Sequence, residues 1–358
     1  MPSTAMAATP VPWPQGLLVG EPAVSVILPV YQAGVALEQS FARISRTRLP
    51  DAEILVVDDG STDGTAHRVR SFAARDARVR PVLLEQNGGV AAARNTALAL
   101  ARGEYVWFLD WDDEWDESIA EKLVERAREA RADVVVCRAT WRQPDGLDTA
   151  VLDGLPAART LTGPEAFDLV LAGRFRGYLW SKLFRRDLLG ADPFPPMQSQ
   201  SDFCGLVPVL AAAATVATVP DVLYHHVIRE GSITNSRHPV LDNLNRCRET
   251  VRRVAETLPP SEGRERLLLH YDYHAWHLAR VNTALRLSSA DVARAEIKDV
   301  VGRMRLGEIA ALVPVSLDVA TRSLLVRVAG QQYAAVRRLY VGVRARLRKV
   351  RGRLKVAR

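Results

Sequence analysis

The chain has 358 residues, of which 48% are hydrophobic and 25% charged, a balance that excludes a fibrous or wholly disordered protein. That length exceeds one ordinary domain, so a catalytic domain and a smaller C-terminal part are expected. The net charge of +7 is local: from Arg337 to Arg358 there are ten Lys or Arg and no acid, which leaves −3 on the rest, and no nucleic-acid partner is expected for the body of the chain.

Residues 1–21 are rich in Ala, Pro and small side chains and lack the basic start and long apolar run of a signal peptide, so a flexible leader is expected. Val24-Ser25-Val26-Ile27-Leu28-Pro29-Val30 is a β-branched run of the kind a buried parallel strand needs. A helix is predicted over 35–46. Glu53-Ile54-Leu55-Val56-Val57 reads as a second strand ending in Asp58-Asp59-Gly60, and Ser61, Thr62 and Asp63 offer N-caps to a helix over 66–74. A third strand over 79–84 leads through Asn87-Gly88-Gly89 into an Ala-rich helix reaching about residue 102. Tyr105-Val106-Trp107-Phe108-Leu109 is a fourth strand ending in Asp110, and a helix over 116–130 leads to a fifth strand at Val134-Val135-Val136. This alternation predicts an α/β fold with a mostly parallel, Rossmann-like sheet flanked by helices. Ligands in such sheets bind beyond the C-terminal strand ends, where Asp58, Asn87 and Asp110 all stand.

From 140 to 234 the pattern is less regular, with helices near 164–172 and 202–213 and a strand over 222–227. The apolar run 206–219 is short and broken by Pro208, so it is read as a core helix and not as a bilayer span. Beyond Pro239 the pattern is helical, with an amphipathic stretch over 267–287. The expected organisation is a leader at 1–21, a catalytic domain at 22–236, a helical C-terminal region at 237–336 and a basic amphipathic tail at 337–358. Cys137, Cys204 and Cys247 are far apart and odd in number, which suits reduced, buried thiols in a cytosol.

Asp110-Trp111-Asp112 follows an apolar strand. In extended chain, side chains two apart point the same way, and two such carboxylates suit a hard divalent cation bridging to phosphates. Acids ahead of a helix serve equally as caps. The surrounding blocks are more specific. Val26-Ile27-Leu28-Pro29-Val30-Tyr31, then Val56-Val57-Asp58-Asp59-Gly60-Ser61, then Asn87-Gly88-Gly89 through Ala93-Arg94-Asn95, then Phe108-Leu109-Asp110-Trp111-Asp112-Asp113 follow in order. In order and spacing they resemble the family 2 glycosyltransferases of GT-A fold. Leu179-Trp180-Ser181-Lys182-Leu183-Phe184-Arg185-Arg186 and the loop with Arg229 and Gly231-Ser232-Ile233-Thr234 extend the resemblance to about residue 234.

The resemblance implies an inverting transfer from a nucleotide-sugar donor, with UDP favoured over GDP or dTDP by family frequency. It implies that Asp58 meets the base or ribose, that Pro29 and Tyr31 line the base pocket, and that Arg94 and Asn95 face the nucleotide. Asp59 and Asp63 are read as turn and capping residues. Asp110 and Asp112 would hold Mn2+ or Mg2+ on the donor diphosphate, with Trp111 beside the donor sugar and Asp113 as either a helper or a helix cap. Arg229 and Ser232 would contact the diphosphate. Asp202 would be the general base for the acceptor hydroxyl. The acidic pair in which the family places that base is reduced here to Ser201-Asp202. Gln32 stands where the family has Asn, Ala33-Gly34 replaces a nearby acid, and Trp111 replaces a small residue.

One of His225 and His226 could reach the metal, but without spacing to a second ligand pair they are read as a strand and surface pair. His270, His274 and His277 lie among Tyr271, Tyr273 and Trp276 at helical spacing, which suits interhelical packing or acceptor binding. In the tail, Leu339, Val343, Leu347, Val350 and Leu354 recur every three or four residues between basic ones. That pattern reads as a helix on an anionic membrane surface, with a nucleic-acid contact or a solvated terminal helix as alternatives. The expected location is cytoplasmic, peripheral on the inner face of the cell membrane where the tail docks. The expected acceptor is a cell-envelope saccharide, a polyol-phosphate polymer or a lipid-linked glycan. A nucleotidyltransferase is the alternative enzyme, but no Gly-rich signature follows the first strand. A binding-only relative is a third reading, against which Asp110, Asp112 and Asp202 argue.

Overall fold

β2 (Val24–Val30) and β3 (Ala52–Asp58) are buried along all seven of their residues, as strands covered on both faces must be. The computed structural model describes residues 8–10, 21–49, 51–143, 145–228, 241–286 and 289–333. The chain divides into two compact units, Met1–Asn235 with Glu249–Leu258, and Ser236–Arg248 with Pro259–Arg358.

The first unit is built on one sheet. Its described strands are β1 (Ala8–Pro10), β2, β3, β4 (Val79–Leu84), β5 (Tyr105–Phe108), β6 (Glu114–Trp115), β7 (Val134–Arg142), β8 (Asp148–Asp153), β9 (Thr160–Leu161), β10 (Lys182–Arg185) and β11 (Val216–Val227). They lie in the order β1-β4-β3-β2-β5-β10-β7-β11-β6, with β8 on β7 and β9 on β11. β2 to β5 are mutually parallel, and so are β7 and β11. β10 runs antiparallel between β5 and β7.

Helices cover this sheet through apolar faces. In α1 (Leu37–Arg46), Leu37, Phe41 and Ile44 are buried, and Phe41 stacks on Phe72 of α2 (Thr65–Arg75) with centroids 4.0 Å apart. α3 (Val90–Leu100) buries Ala91, Ala93 and Ala97, small side chains that let the helix approach the strands closely. α4 (Ile119–Ala130) buries Leu123, Val124 and Ala127. α5 (Gly163–Leu171) starts at a capping box, in which Thr162 and Glu165 each satisfy a backbone N–H of the other. α6 (Ser201–Ala212) follows.

The run 206–219, read as a core helix, is split: α6 ends at Ala212 and β11 starts at Val216, because the chain from Val216 pairs with β7. Other elements differ from expectation too. Ala8–Pro10, inside the expected leader, pairs with the edge of β4. β7 runs on to Arg142, where three valines had marked only its start. β10 has charged ends and four residues, too short for an alternation to show, and only its two neighbours make it a strand.

α7 (Leu241–Thr257) supplies residues to both units. In the second unit α8 (Glu262–Tyr271) passes through a π-helical turn, Asp272–His277, into α9 (Leu278–Ala284). α10 (Ala290–Arg303), α11 (Leu306–Ala311) and α12 (Leu317–Ala329) complete it. Tyr273, Val281, Val300, Leu312 and Val326 belong to its apolar core. Trp276 donates from Nε1 to Asn245 at 2.9 Å, and the guanidinium groups of Arg248 and Arg280 lie 4.2 and 4.9 Å from its ring centroid. The histidines of this turn pack among rings, with His270 and His274 stacked at 5.6 Å.

Candidate active site

The strand ends bring the first acids together. Asp58 closes β3 in register with Val30, the last residue of β2. It is 2% exposed and accepts the Ser61 N–H at 3.2 Å. Burial pushes its carboxyl above the ordinary range; the Ser61 bonds oppose this, and Asp63 and Asp59 add to the rise. Asp59 does more than the turn capping expected of it. It accepts Gly88 N–H at 2.8 Å, Gly89 N–H at 2.9 Å and the Asn87 amide at 3.1 Å. Gly60 has φ +70°, and a Cβ there would fall 2.7 Å from the backbone of Gln86 and Asn87. Glycine is therefore required for this close approach. The loop so held leads into α3, which carries Arg94. Asp63 stays local, accepting from Thr65 at 2.6 Å.

Asp110 follows β5, whose exit is held by the Leu109 N–H donating to Ile27 at 2.9 Å. Arg94 reaches over to Asp110, Nη2 to Oδ1, at 2.8 Å. Arg94 is buried, and its Nε finds no acceptor among the described residues.

The extended geometry expected for Asp110-Trp111-Asp112 is not what forms. Trp111 and Asp112 lie in a turn, and the Asp113 N–H donates to the Asp110 carbonyl at 3.2 Å. The chain must reverse here, because β6, which starts at Glu114, pairs antiparallel with β11. Asp110 and Asp112 are half-buried, and Trp111 packs on the sheet core.

Asp113 is not a helix cap, since Ser118 takes the N-cap position of the helix that follows. It is fully buried and accepts from Tyr224 Oη at 3.0 Å, His226 Nδ1 at 3.0 Å and Val227 N at 2.9 Å. Burial works against a charge on His226, but the bond to Asp113 and the carboxylates of Asp110 and Asp112 outweigh it and raise the imidazole above its ordinary value. The surface role expected of His226 is corrected accordingly. His225 faces Thr140 at 2.8 Å and Asp148 at 3.2 Å.

Asp202 is the second residue of α6. The N-cap position belongs to Gln200, at φ +65°, so Asp202 is not the cap. Burial raises its carboxyl above the ordinary range, Arg94 pulls it down, and Asp110 adds to the rise. Arg94 thus acts on Asp110 and Asp202 together. Asn95, expected to face the nucleotide, instead clasps the Phe194 peptide through bonds of 2.9 and 3.2 Å. Pro29 is buried in β2 and Tyr31 is 46% exposed beside it. Arg229 and Ser232 lie outside the described residues.

Residues 25–176 match Glycosyl transferase family 2. TuaG of Bacillus subtilis strain 168, a glycosyltransferase named for teichuronic acid biosynthesis, is 30% identical over 219 residues, which cover 61% of this chain and 83% of TuaG. The chain belongs to glycosyl transferase family 2. The uncharacterized glycosyltransferase EpsJ of the same strain is 36% identical over 170 residues, 47% of this glycosyltransferase and 49% of EpsJ, so the match spans about half the length of that relative. Among solved structures, S. aureus TarS 1-349 in complex with UDP-GlcNAc has a TM-score of 0.66 at 20% identity, covering 86% of this chain and 91% of that one. Mannosyltransferase PcManGT from Pyrobaculum calidifontis, in complex with GDP-Man and Mn2+, has a TM-score of 0.51 at 21% identity, covering 92% and 91%. The fold of this glycosyltransferase is GT-A, with a helical C-terminal region.

Proposed function

We propose that this glycosyltransferase is inverting and metal-dependent, and that it moves a sugar from a UDP-sugar to a hydroxyl of a cell-envelope acceptor. The observation that carries this is the position of Arg94. It is paired with Asp110 at 2.8 Å and acts electrostatically on Asp202. One buried cation therefore joins the residues that would hold the donor diphosphate to the residue that would activate the acceptor.

Asp110 and Asp112 present carboxylate oxygens, the donors that Mg2+ and Mn2+ take. Among the described residues no three His, Cys, Asp or Glu side chains gather closely enough to hold an ion; Asp110 and Asp112 are the residues that would hold it. When bound, the cation stabilises negative charge on the departing nucleoside diphosphate. Arg94 faces the same charge. Asp58 accepts hydrogen bonds from the ribose or base, and Pro29 and Tyr31 flank that base. Asp202 removes the acceptor proton as the oxygen bonds to the anomeric carbon and the bond to the diphosphate breaks on the opposite face. A single displacement of this kind inverts the configuration. The raised Asp202 carboxyl suits a base, whose strength grows as its pKa approaches the working pH.

The complexes named for TarS and PcManGT support a nucleotide sugar as donor, the second with Mn2+. The name of TuaG supports an envelope glycan as acceptor. Saccharide, polyol-phosphate and lipid-linked acceptors all belong to that class. The tail at 337–358 lies outside the described residues, and its basic amphipathic sequence supports docking on the inner membrane face. Among the described residues no helix is long and apolar enough to cross a membrane.

Thermal shift with UDP-, GDP- and dTDP-sugars, with and without Mn2+, tests the donor. Stabilisation is expected from a UDP-sugar only with the metal. Asp112→Ala should lose that metal-dependent shift and Asp202→Asn should keep it. Transfer should fall about 10²- to 10⁴-fold in Asp202→Asn. An active Asp202→Asn would remove the base, and no nucleoside diphosphate release from any donor would leave a binding-only relative.

A further inference from the structure

Beside Asp202 the fold places a run of near-parallel rings. Tyr178 stacks on Trp180 with centroids 4.6 Å apart and planes 12° apart, and Trp180 stacks on Tyr224 at 4.3 Å and 10°. Trp180 and Tyr224 are buried, whereas Tyr178 is half-buried and ends the run. Its hydroxyl has no hydrogen-bond partner among the described residues.

The backbone that carries Tyr178 is held with unusual firmness. Lys182 and Asp153, both fully buried, form an ion pair. Lys182 Nζ donates to the Tyr178 carbonyl at 2.7 Å and the Arg176 carbonyl at 3.1 Å, while Asp153 accepts the Arg176 N–H at 2.9 Å. Between them, a Cβ on Gly177 would sit 2.7 Å from Phe203. The loop therefore lies directly on the first turn of α6, next to Asp202. The His226 ring, partner of Asp113, lies 5.9 Å from Trp180 and 6.5 Å from Tyr178. Burial pushes the Tyr178 phenol up to about 12, with Arg176 opposing and Asp202, Asp153 and Asp113 adding, which agrees with a place among carboxylates.

We propose that the acceptor of this glycosyltransferase is a ring-form sugar whose C–H face stacks on Tyr178, which presents the attacking hydroxyl to Asp202. An aromatic face is electron-rich and apolar, and it suits the flat C–H face of a pyranose. A polyol phosphate has no such face. This inference rests on the proposed glycosyl transfer and selects among its acceptors.

The test has two readouts. Saturation-transfer NMR of the whole protein with methyl glucopyranoside and methyl galactopyranoside should show ring-proton contacts that weaken about tenfold in Tyr178→Ala and persist in Tyr178→Phe. Glycerol phosphate and ribitol phosphate should show none. In transfer assays Tyr178→Ala should raise the acceptor KM about tenfold with a much smaller change in kcat. Equal losses in Tyr178→Phe and Tyr178→Ala would assign the effect to the hydroxyl and overturn the stacking. Pyranoside contacts unchanged in Tyr178→Ala, or stronger contacts from the polyol phosphates, would overturn it as well. Release of nucleoside diphosphate by the unaltered protein is followed separately. Its failure counts against the transfer itself, while the NMR result still decides the stacking.

Discussion

Asp58 and Asp59 are neighbours with the same side chain and different tasks. Asp58 closes its strand beneath the site, while Asp59 turns away to hold the Asn87-Gly88-Gly89 loop. Their identity was legible in the sequence; their division of labour depends on which way each side chain leaves the strand end. Asp113 shows the same limit, because its partners Tyr224 and Val227 stand 111 and 114 residues away. At this scale His277 carries a prediction. It is 6% exposed, and its two ring nitrogens have no partner among the described residues. Burial lowers its pKa from 6.5 to about 4, with Asp272 opposing and Arg248, Arg280 and Arg303 adding. A lowered value in the folded state means stability that is full above pH 6.5 and is lost as pH falls towards 4. The loss amounts to about 3 kcal/mol. In His277→Leu, the difference between melting temperatures at pH 7 and pH 5 should shrink. An undiminished difference would mean that this imidazole does not set the acid sensitivity of the helical unit.

At the scale of elements, local signals located most strands and helices of the sheet. β2 to β5 and α1 to α4 follow from β-branched runs, amphipathic periods and Gly-marked turns. β10 does not, since a four-residue strand is defined by what it pairs with. The loop before it takes its shape from the buried Lys182–Asp153 pair. Lys182→Met leaves Asp153 as a buried charge without its cation, and it should cost about 3–5 kcal/mol in urea unfolding. Thr162→Ala, which removes a surface cap of α5, should cost about 1 kcal/mol. Equal losses would show that the pair is not the anchor of its loop.

For the whole molecule, the sheet unit and the helical unit have separate cores, and the positive charge is concentrated in residues 337–358. Deleting residues 337–358 should weaken co-sedimentation with phosphatidylglycerol vesicles at least about tenfold, because each basic residue near an anionic surface contributes about 1 kcal/mol. The binding that is lost should be salt-sensitive. Undiminished co-sedimentation would place any membrane contact elsewhere. Order and type of the main elements, the family and the acids at the strand ends could be read from residues close in sequence, because periodicity and motif spacing are local properties. Tertiary structure alone decided that Asp110-Trp111-Asp112 turns and that β10 runs antiparallel. It also decided that Asp113 is buried, that Asn95 serves Phe194, and that Arg94 pairs with Asp110. Each of these outcomes depends on burial and pairing between segments that the chain keeps far apart until it folds.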